Sequence, residues 1–435
     1  MVASSQATPA AEFWREFAAT HYTREPFDID DPPAGFTISS GDLFRLLLRA
    51  VAQRGGGPHA PQVRFHAGQR QVIADIADYL PVPGDGSVDG YLARLERQLE
   101  GEPYLLVVER AQVASRKVWQ RAASFLAGLY GVTGTLPGRV DAEVFVGRYP
   151  HTIPGIHRER SGVFVSMVQG EKDILVWPPD TSGLPLGSAR YQEAVASSRR
   201  LRCAPGRLVY WPAMNWHIGE SPAAGTAGLH LAVLEEPLTV GDLLTEPGGL
   251  DAMFANLTPV SSTVAAHDLA LLPQFDPAIE SVVAAYANHD AIRDRLIASW
   301  LRRRTGLGFP AVPPSRKIVL RPDLVLCRDG VHPIVVVPRN AASSWLAADG
   351  RVGYARSVPS LVQLIDRLNS GRPIIVSQAL DLAPQASDRE VLLKVLTLLA
   401  SWRALATSAA ARSVAAHQAA DPAPPHHLGR PHPLA

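Results

Sequence analysis

The chain has 435 residues, 46% of them hydrophobic, which is enough for two or three domains with buried cores and excludes wholesale disorder. A formal net charge of +1 argues against a nucleic-acid coat or a polybasic membrane binder, so we expect no nucleic-acid partner. Cys203 and Cys327 stand far apart, which excludes a disulfide framework and favours a reducing cytoplasm. Since apolar runs of about 18 residues and a secretory signal pattern are missing from the sequence, we expect neither a membrane span nor secretion.

Residues 1–138 are predicted to be an N-terminal helical region. Apolar residues recur there at helical spacing, and Ser39 is a candidate N-cap. The Pro- and Asp-rich stretch 25–35 is interpreted as loop. The predicted helices cover 11–20, 39–54, 89–100 and 115–131.

Residues 139–237 consist of short apolar runs separated by turn signals, a pattern that is typical of an all-β unit. Residues 169–172 (QGEK) are predicted to join two of these strands as a hairpin. Strands of this length and spacing suit a jelly-roll barrel. The predicted strands are AEVFVGRY, GVFVSMVQ, KDILVWPP, GRLVYWP and GLHLAVLEE.

The remainder of the chain returns to mixed patterns. Residues 238–304 are predicted to be a helical linker or dimerisation region, and 305–408 a small winged-helix-like α/β module. In the module, KIVLRPDLVLCRDG and VHPIVVVP are read as two strands joined by a tight Asp-Gly turn, followed by two amphipathic helices. Ser387 with Glu390 has the pattern of a capping box at the second helix. Residues 409–435, rich in Ala, Pro and His, are predicted to be a disordered tail, and the fold class is mixed α and β.

The pattern with most chemical content is His157-Arg158-Glu159, followed 60 residues after His157 by Trp216-His217. Residues i and i+2 of a strand point the same way, so His157 and Glu159 can converge, and a distant strand end can supply His217. Two neutral imidazoles and one carboxylate leave coordination positions open. This is the ligand set of non-heme Fe(II) oxygenases.

Several further segments follow in the order that one family uses. After His157-Arg158-Glu159 come VFVSMVQ, GEK, ILVWPP and PGRLVYWPAMNWH. Over 140–235 the chain thereby resembles the JmjC and related cupin-like 2-oxoglutarate oxygenases, including ribosomal oxygenases and asparaginyl hydroxylases. The resemblance implies a double-stranded β-helix that binds Fe(II) through His157, Glu159 and His217.

The resemblance also implies a co-substrate site. Lys172, one of four lysines in the chain, stands 15 residues after His157, where the family places a basic residue for the distal carboxylate of 2-oxoglutarate. A buried cation opposite the metal is also what a dicarboxylate in a barrel requires. Pro154 stands where a hydroxyl is common, and Thr152 or Tyr149 is expected to supply that hydrogen bond.

The sequence departs from the family pattern in two further places. Glu159 replaces the commoner Asp, which lengthens the ligand arm. Arg207 stands where the usual motif has Asp, and we interpret it as part of a surface turn.

Simpler interpretations stand beside these. The run from His157 to Arg160 could be a solvated charge cluster with no metal, and Lys172 could be solvated at its hairpin turn. His230 is a candidate for substrate contact or an ordinary core histidine. Arg148 is a candidate for the pocket wall.

We therefore expect an Fe(II)- and 2-oxoglutarate-dependent dioxygenase that hydroxylates an amino-acid side chain in a protein or peptide, with a homodimer as its assembly. A small-metabolite hydroxylase or a demethylase is the first alternative. A cupin binding or regulatory protein without turnover is the second. A metal-dependent isomerase, or a dioxygenase without a co-substrate, is disfavoured because neither needs a dicarboxylate-binding lysine.

Overall fold

A large antiparallel β-sheet, with helices before and after it in the chain, forms the centre of the computed structural model. The structure describes residues 9–56, 60–134, 138–187, 190–235, 239, 242–243, 290–309, 312–313 and 317–407. Most of the predicted dimerisation region and the whole predicted tail lie outside these residues.

The predicted N-terminal helices are all present. Ser39 caps the second one, since its hydroxyl accepts from the Asp42 N–H at 3.2 Å. Gly134, at φ +67°, ends the last one in the left-handed conformation that favours glycine. The helices are α1 (Pro9–Thr20), α2 (Ser40–Gln53), α3 (Val88–Gln98), α4 (Ala111–Ala114) and α5 (Arg116–Thr133).

Eight strands follow the order β1-β9-β6-β10-β5-β4-β2-β3 in the main sheet, and β7 and β8 are attached to it through β10. The turn at Gly170 joins β6 to β7, but the predicted hairpin is wrong, because β6 pairs with β9 and β10 whereas β7 pairs with β8 and β10. The strands are β1 (Phe27–Asp30), β2 (Gln62–Ala67), β3 (Arg70–Val72), β4 (Tyr104–Glu109), β5 (Val140–Tyr149), β6 (Ser161–Gln169), β7 (Lys172–Trp177), β8 (Arg199–Cys203), β9 (Arg207–Trp211) and β10 (Trp216–Leu234).

Strand β10 belongs to two sheets. Its first part pairs with β7, which pairs with β8, and its last part lies between β5 and β6. Side chains from both sheets meet in one buried apolar cluster, so the sheets enclose an interior, as the predicted jelly-roll barrel requires. The cluster comprises Val163, Val165, Met167, Ile174, Val176, Leu201, Cys203, Val209 and Trp211.

The opposite face of the main sheet is covered by the N-terminal helices. Phe164, between two interior residues of β6, points outward and lies 5.6 Å from Phe17 of α1 and 5.1 Å from Phe125 of α5, measured between ring centroids. The helices thereby leave the interior face free for a site.

The C-terminal part contains α6 (Asp290–Gly306), two three-stranded sheets and three further helices. The sheets have the orders β15-β11-β16 and β12-β13-β14. The part of the chain predicted as a winged-helix-like module thus contains two small separate sheets. Its elements are β11 (Val325–Arg328), β12 (Val335–Pro338), β13 (Ser343–Ala348), β14 (Arg351–Arg356), α7 (Pro359–Asn369), β15 (Ile374–Ile375), α8 (Val376–Leu380), α9 (Ala386–Ser401) and β16 (Leu405–Thr407).

Two local predictions in the C-terminal part are wrong. Strands β11 and β12 do not form a hairpin at the Asp-Gly turn, because each pairs within a different sheet. Helix α9 begins one residue before Ser387, with Gln385 as its N-cap, so Ser387 and Glu390 do not form a capping box.

In the N-terminal part, the region predicted as helical also contributes β2, β3 and β4 to the main sheet. Part of the predicted loop 25–35 is the edge strand β1, which pairs with β9. Arg207 of β9 stabilises this pairing through Asp28 at 2.6 Å and Asp30 at 2.7 Å, so the unusual Arg207 is a strand residue with partners.

Among the described residues, every helix is too short or too polar to cross a bilayer.

Candidate metal and co-substrate site

His157 and His217 face each other across an isolated antiparallel bridge. The His157 N–H donates to the carbonyl of His217 at 3.1 Å, and the His217 N–H donates to the carbonyl of His157 at 2.8 Å. Directly opposed residues project their side chains from the same face. The two imidazole centroids are 4.3 Å apart, so the backbone pairing brings two distant histidines together.

Both imidazoles are oriented by main-chain carbonyls. Nδ1 of His157 lies 2.9 Å from the Gly155 oxygen, and Nδ1 of His217 lies 3.2 Å from the Asn215 oxygen. Because a carbonyl can only accept, each Nδ1 carries the proton and each Nε2 is left with a free lone pair. Metal-binding histidines are commonly held in this way.

Glu159 completes the ligand set predicted from the sequence. One of its carboxylate oxygens, Oε1, lies 3.6 Å from Nε2 of His217. Burial raises the pKa of Glu159 to about 7 and lowers the pKa of His217 to about 3. Within the described part of the chain, no three His, Cys, Asp or Glu side chains already form a closed metal cluster. His157 and Glu159 each lie beside His217, and the three side chains would have to rearrange to bind one ion.

The turn that carries His217 is held from three sides. The Met214 N–H donates to the Glu159 carbonyl at 2.7 Å, with Met214 at φ +65°. The Ala213 N–H donates to the Glu235 carboxylate at 3.0 Å, and the Asn215 amide donates to the Trp177 carbonyl at 3.2 Å. The sequence did not predict this role of Glu235. A carboxylate directly after an apolar strand was the one sign of it.

Lys172 is buried, with 4% of its surface exposed. Its Nζ lies 2.6 Å from Nε2 of His230 and 5.2 Å from the centroid of the Phe145 ring. Burial lowers the pKa of Lys172 to about 8. The alternative of a solvated lysine is therefore wrong, and the structure places this cation inside the barrel.

Two polar atoms inside the barrel are buried without a hydrogen-bond partner: the Tyr149 hydroxyl and the Trp211 indole nitrogen. The Trp211 ring lies 5.0 Å from the ring of His217 and 6.4 Å from that of His230. The Thr152 hydroxyl accepts from the Gly219 N–H at 3.2 Å and retains its own proton for donation. Trp211 is therefore an unused donor beside His217 and His230, and the Tyr149 and Thr152 hydroxyls are further available donors.

Arg148 is not brought to the site. It donates to the Glu96 carboxylate at 2.9 Å and to the Gly101 carbonyl at 2.6 Å. Strand alternation sends it to the face opposite Tyr149. Arg158 likewise turns away from the ligand set, with its guanidinium 4.6 Å from the Trp216 ring centroid.

Glu143 is a further site residue that motif reasoning missed. It lies directly opposite His230 in the pairing of β5 with β10. The pKa of Glu143 is raised to about 8, mainly by burial and to a smaller extent by repulsion from Glu159. The sequence did contain a signal for Glu143. It stands two and six residues before Phe145 and Tyr149 on one predicted strand, so all three side chains point to the same face.

Neither a family model nor a curated protein matches this chain. Among solved structures, it is similar to YcfD of Escherichia coli, with a TM-score of 0.48, 15% identity, and coverage of 91% of this chain and 98% of that chain. Another match is the ribosomal oxygenase YcfD of Escherichia coli in complex with cobalt and 2-oxoglutarate, with a TM-score of 0.45 and 14% identity over the same shares of the two chains. A cupin superfamily protein from Desulfitobacterium hafniense matches at a TM-score of 0.16 and 12% identity, over 22% of this chain and 69% of that chain.

Proposed function

We propose that this protein is an Fe(II)- and 2-oxoglutarate-dependent dioxygenase that hydroxylates an amino-acid side chain in a protein or peptide. One observation carries the proposal. The barrel holds a pair of histidines with free Nε2 atoms beside a carboxylate, and the same interior holds a buried lysine.

The donor chemistry fits iron. His157 and His217 would bind through Nε2, and Glu159 through a carboxylate oxygen, as in the two-histidine, one-carboxylate set. The burial that raises the pKa of Glu159 also means that a cation would stabilise its charged form. Bound iron would supply the oxygen chemistry, while the protein supplies position and exclusion of water.

Lys172 fits a dicarboxylate co-substrate. Its contacts within the described part of the chain are with the His230 ring nitrogen and the Phe145 ring rather than with a carboxylate, although a buried ammonium is costly without one. The distal carboxylate of 2-oxoglutarate would pair with Lys172, and the Tyr149 hydroxyl and Thr152 are candidate further donors. In the overall reaction, O₂ gives one oxygen atom to the succinate formed with CO₂ and the other to the hydroxylated product.

The choice of a protein or peptide substrate rests on the family resemblance in the sequence. A small-metabolite hydroxylase, a demethylase and a non-catalytic binding protein are the competing proposals. Arg148 is no longer proposed as a substrate contact, because its hydrogen bonds to Glu96 and Gly101 hold it on the outer face of the sheet. The proposal also keeps four further predictions. They are the division into the predicted regions, a homodimer formed through 238–304, a winged-helix-like module at 305–408 and a cytoplasmic location.

The test is an anaerobic titration with Fe(II) and 2-oxoglutarate, followed by visible spectroscopy. We expect a weak charge-transfer band, and succinate production once O₂ is admitted. His217→Ala should abolish both, whereas Lys172→Ala should keep metal binding and weaken 2-oxoglutarate binding. A wild-type protein with neither band nor succinate would contradict the proposal.

The substrate class has its own test. Candidate peptides and metabolites are incubated with enzyme, Fe(II), 2-oxoglutarate and O₂, and mass spectrometry detects a gain of one oxygen atom. Peptide hydroxylation supports the proposal. Turnover of metabolites alone would replace it with the first alternative.

A further inference from the structure

His230 contacts two aromatic rings inside the barrel. Its ring lies 4.3 Å from the Phe145 ring at an interplanar angle of 31° and meets Trp211 nearly edge-on at 84°. The residue is 6% exposed. Burial lowers the pKa of His230 well below its ordinary value, so the ring is neutral and one nitrogen accepts hydrogen bonds.

The accepting nitrogen is identified by its neighbour. Nε2 lies 2.6 Å from the Lys172 ammonium, which can only donate. A flexible four-carbon side chain is thereby tied to a ring that is itself fixed by aromatic contacts. The position of the cation in the barrel depends on the position of His230.

We propose that His230 is a positioning residue that holds the Lys172 ammonium where the distal carboxylate of a 2-oxo dicarboxylate would pair with it. The inference rests on the proposed function. His230 acts through Lys172 and needs no contact with the co-substrate, which replaces its earlier interpretation as a substrate contact.

The charged and titratable groups around Lys172 come from three strands. His217 and His230 belong to β10, Cys203 lies directly opposite Lys172 on β8, and Glu143 belongs to β5. Burial raises the pKa of Cys203 to about 12, so its thiol is neutral. His230 is the neighbour that accepts a hydrogen bond from the ammonium.

Two variants separate positioning from packing. His230→Phe keeps a ring between Phe145 and Trp211 but removes the acceptor. His230→Gln loses the ring but keeps an amide oxygen that can accept. If His230 only fills space, His230→Phe should resemble the wild type and His230→Gln should not; if it positions Lys172, the order is reversed.

The first readout is NMR of protein labelled with ¹³C at lysine. The chain has four lysines, and Lys117, Lys317 and Lys394 are exposed internal references. Lys172→Met assigns the remaining Cε signal. We expect this signal to titrate below the other three in the wild type, lower again in His230→Phe, and near the wild-type value in His230→Gln. An unchanged Lys172 titration in His230→Phe would overturn the inference.

The second readout is calorimetric binding of 2-oxoglutarate to protein loaded with Co²⁺, which accepts the same ligand types as Fe²⁺. At neutral pH we expect His230→Phe to weaken binding by about tenfold, the size of one hydrogen bond to a charged group, and His230→Gln by less than about threefold. At saturating Co²⁺, the deficit of His230→Phe relative to the wild type at the same pH should shrink as the pH is lowered, since lower pH reprotonates the lysine.

The outcomes are distinguishable. If the Co²⁺-loaded wild type binds no 2-oxoglutarate, the proposed function fails and the inference fails with it. If the wild type binds it and His230→Phe binds equally well, the inference alone is overturned and the proposed function stands.

Discussion

At the scale of single residues, the Tyr149 hydroxyl is a donor without a partner. It lies in the barrel wall near Leu105 and Val107, and burying it without a partner destabilises the fold. An unpaired buried hydroxyl costs about 1–3 kcal/mol, so a protein retains one most readily where a ligand pairs with it. Tyr130 has a similarly unpaired hydroxyl in the core beside the N-terminal helices, which makes it a matched control.

We predict that Tyr149→Phe leaves the free energy of unfolding unchanged or raises it by about 1 kcal/mol. The same change should weaken binding of 2-oxoglutarate to the Co²⁺-loaded protein by about tenfold. Tyr130→Phe should have the same small effect on unfolding and none on binding. Chemical denaturation and calorimetry measure the two effects, and equal binding by both variants would exclude Tyr149 from the pocket.

The second residue-scale prediction concerns pH. Glu159 must be deprotonated to bind a metal, and its pKa of about 7 makes protons compete. Protonation of Glu159 should therefore lower the affinity for Co²⁺ by up to about tenfold for each pH unit below 7. His217, with a pKa of about 3, adds no competition in that range. An affinity that is flat between about pH 5.5 and 8 would contradict this assignment.

The same raised pKa has a consequence for stability. Without metal, the folded carboxyl holds its proton more tightly than the unfolded one, whose ordinary pKa is 4.5. Its contribution to stability is therefore present at low pH and is lost as the pH rises from 4.5 towards 7. Added Co²⁺ should remove this loss, which thermal unfolding with and without metal measures.

At the scale of elements, the turn between β9 and β10 decides where His217 lies. The Glu235 carboxylate accepts from the Ala213 N–H at 3.0 Å and from the Tyr210 hydroxyl at 2.6 Å. Both donors are in the segment that leads to His217. The position of His217 thus depends on Glu235, which follows the last residue of β10.

We predict that Glu235→Ala destabilises the fold by about 2–4 kcal/mol, because it leaves one buried donor (Tyr210) and one partly buried donor (Ala213) unpaired. It should also weaken Co²⁺ binding, since the turn is released. Glu235→Gln keeps an acceptor and should have a smaller effect on both. Glu193→Ala, in an exposed ion pair with Arg190, is the control and should change neither. Unaltered metal binding by Glu235→Ala would show that the turn is held without it.

At the scale of the whole molecule, Arg116 joins α5 to the C-terminal part. Its guanidinium donates to Asp349 at 3.0 Å and to the carbonyls of Asp329 at 2.6 Å and Arg403 at 2.9 Å. Asp349 is buried and also accepts from Arg328 at 2.8 and 3.1 Å. One side chain at the start of α5 thereby satisfies acceptors from three separate segments.

We predict that Arg116→Met destabilises the protein by about 2–4 kcal/mol, because these buried acceptors lose a charged donor. Limited proteolysis should then release the C-terminal part earlier than in the wild type. Arg121→Met, on the same helix at an exposed position, is the matched control and should behave as wild type. If the two variants unfold alike, Arg116 does not hold the two parts together.

The sequence by itself determined the residue types of the proposed ligand set, the amphipathic helices, and most strands from 140 to 235, because each depends on spacing within one segment. It also predicted that His157, Glu159 and Lys172 share one interior. Tertiary structure alone decided the partner of Lys172, the outward turn of Arg148, the pairing of 27–30 with β9, and the separation of β11 from β12. Each of these is set by contacts between residues distant in the chain, and local propensity carries no information about such pairing.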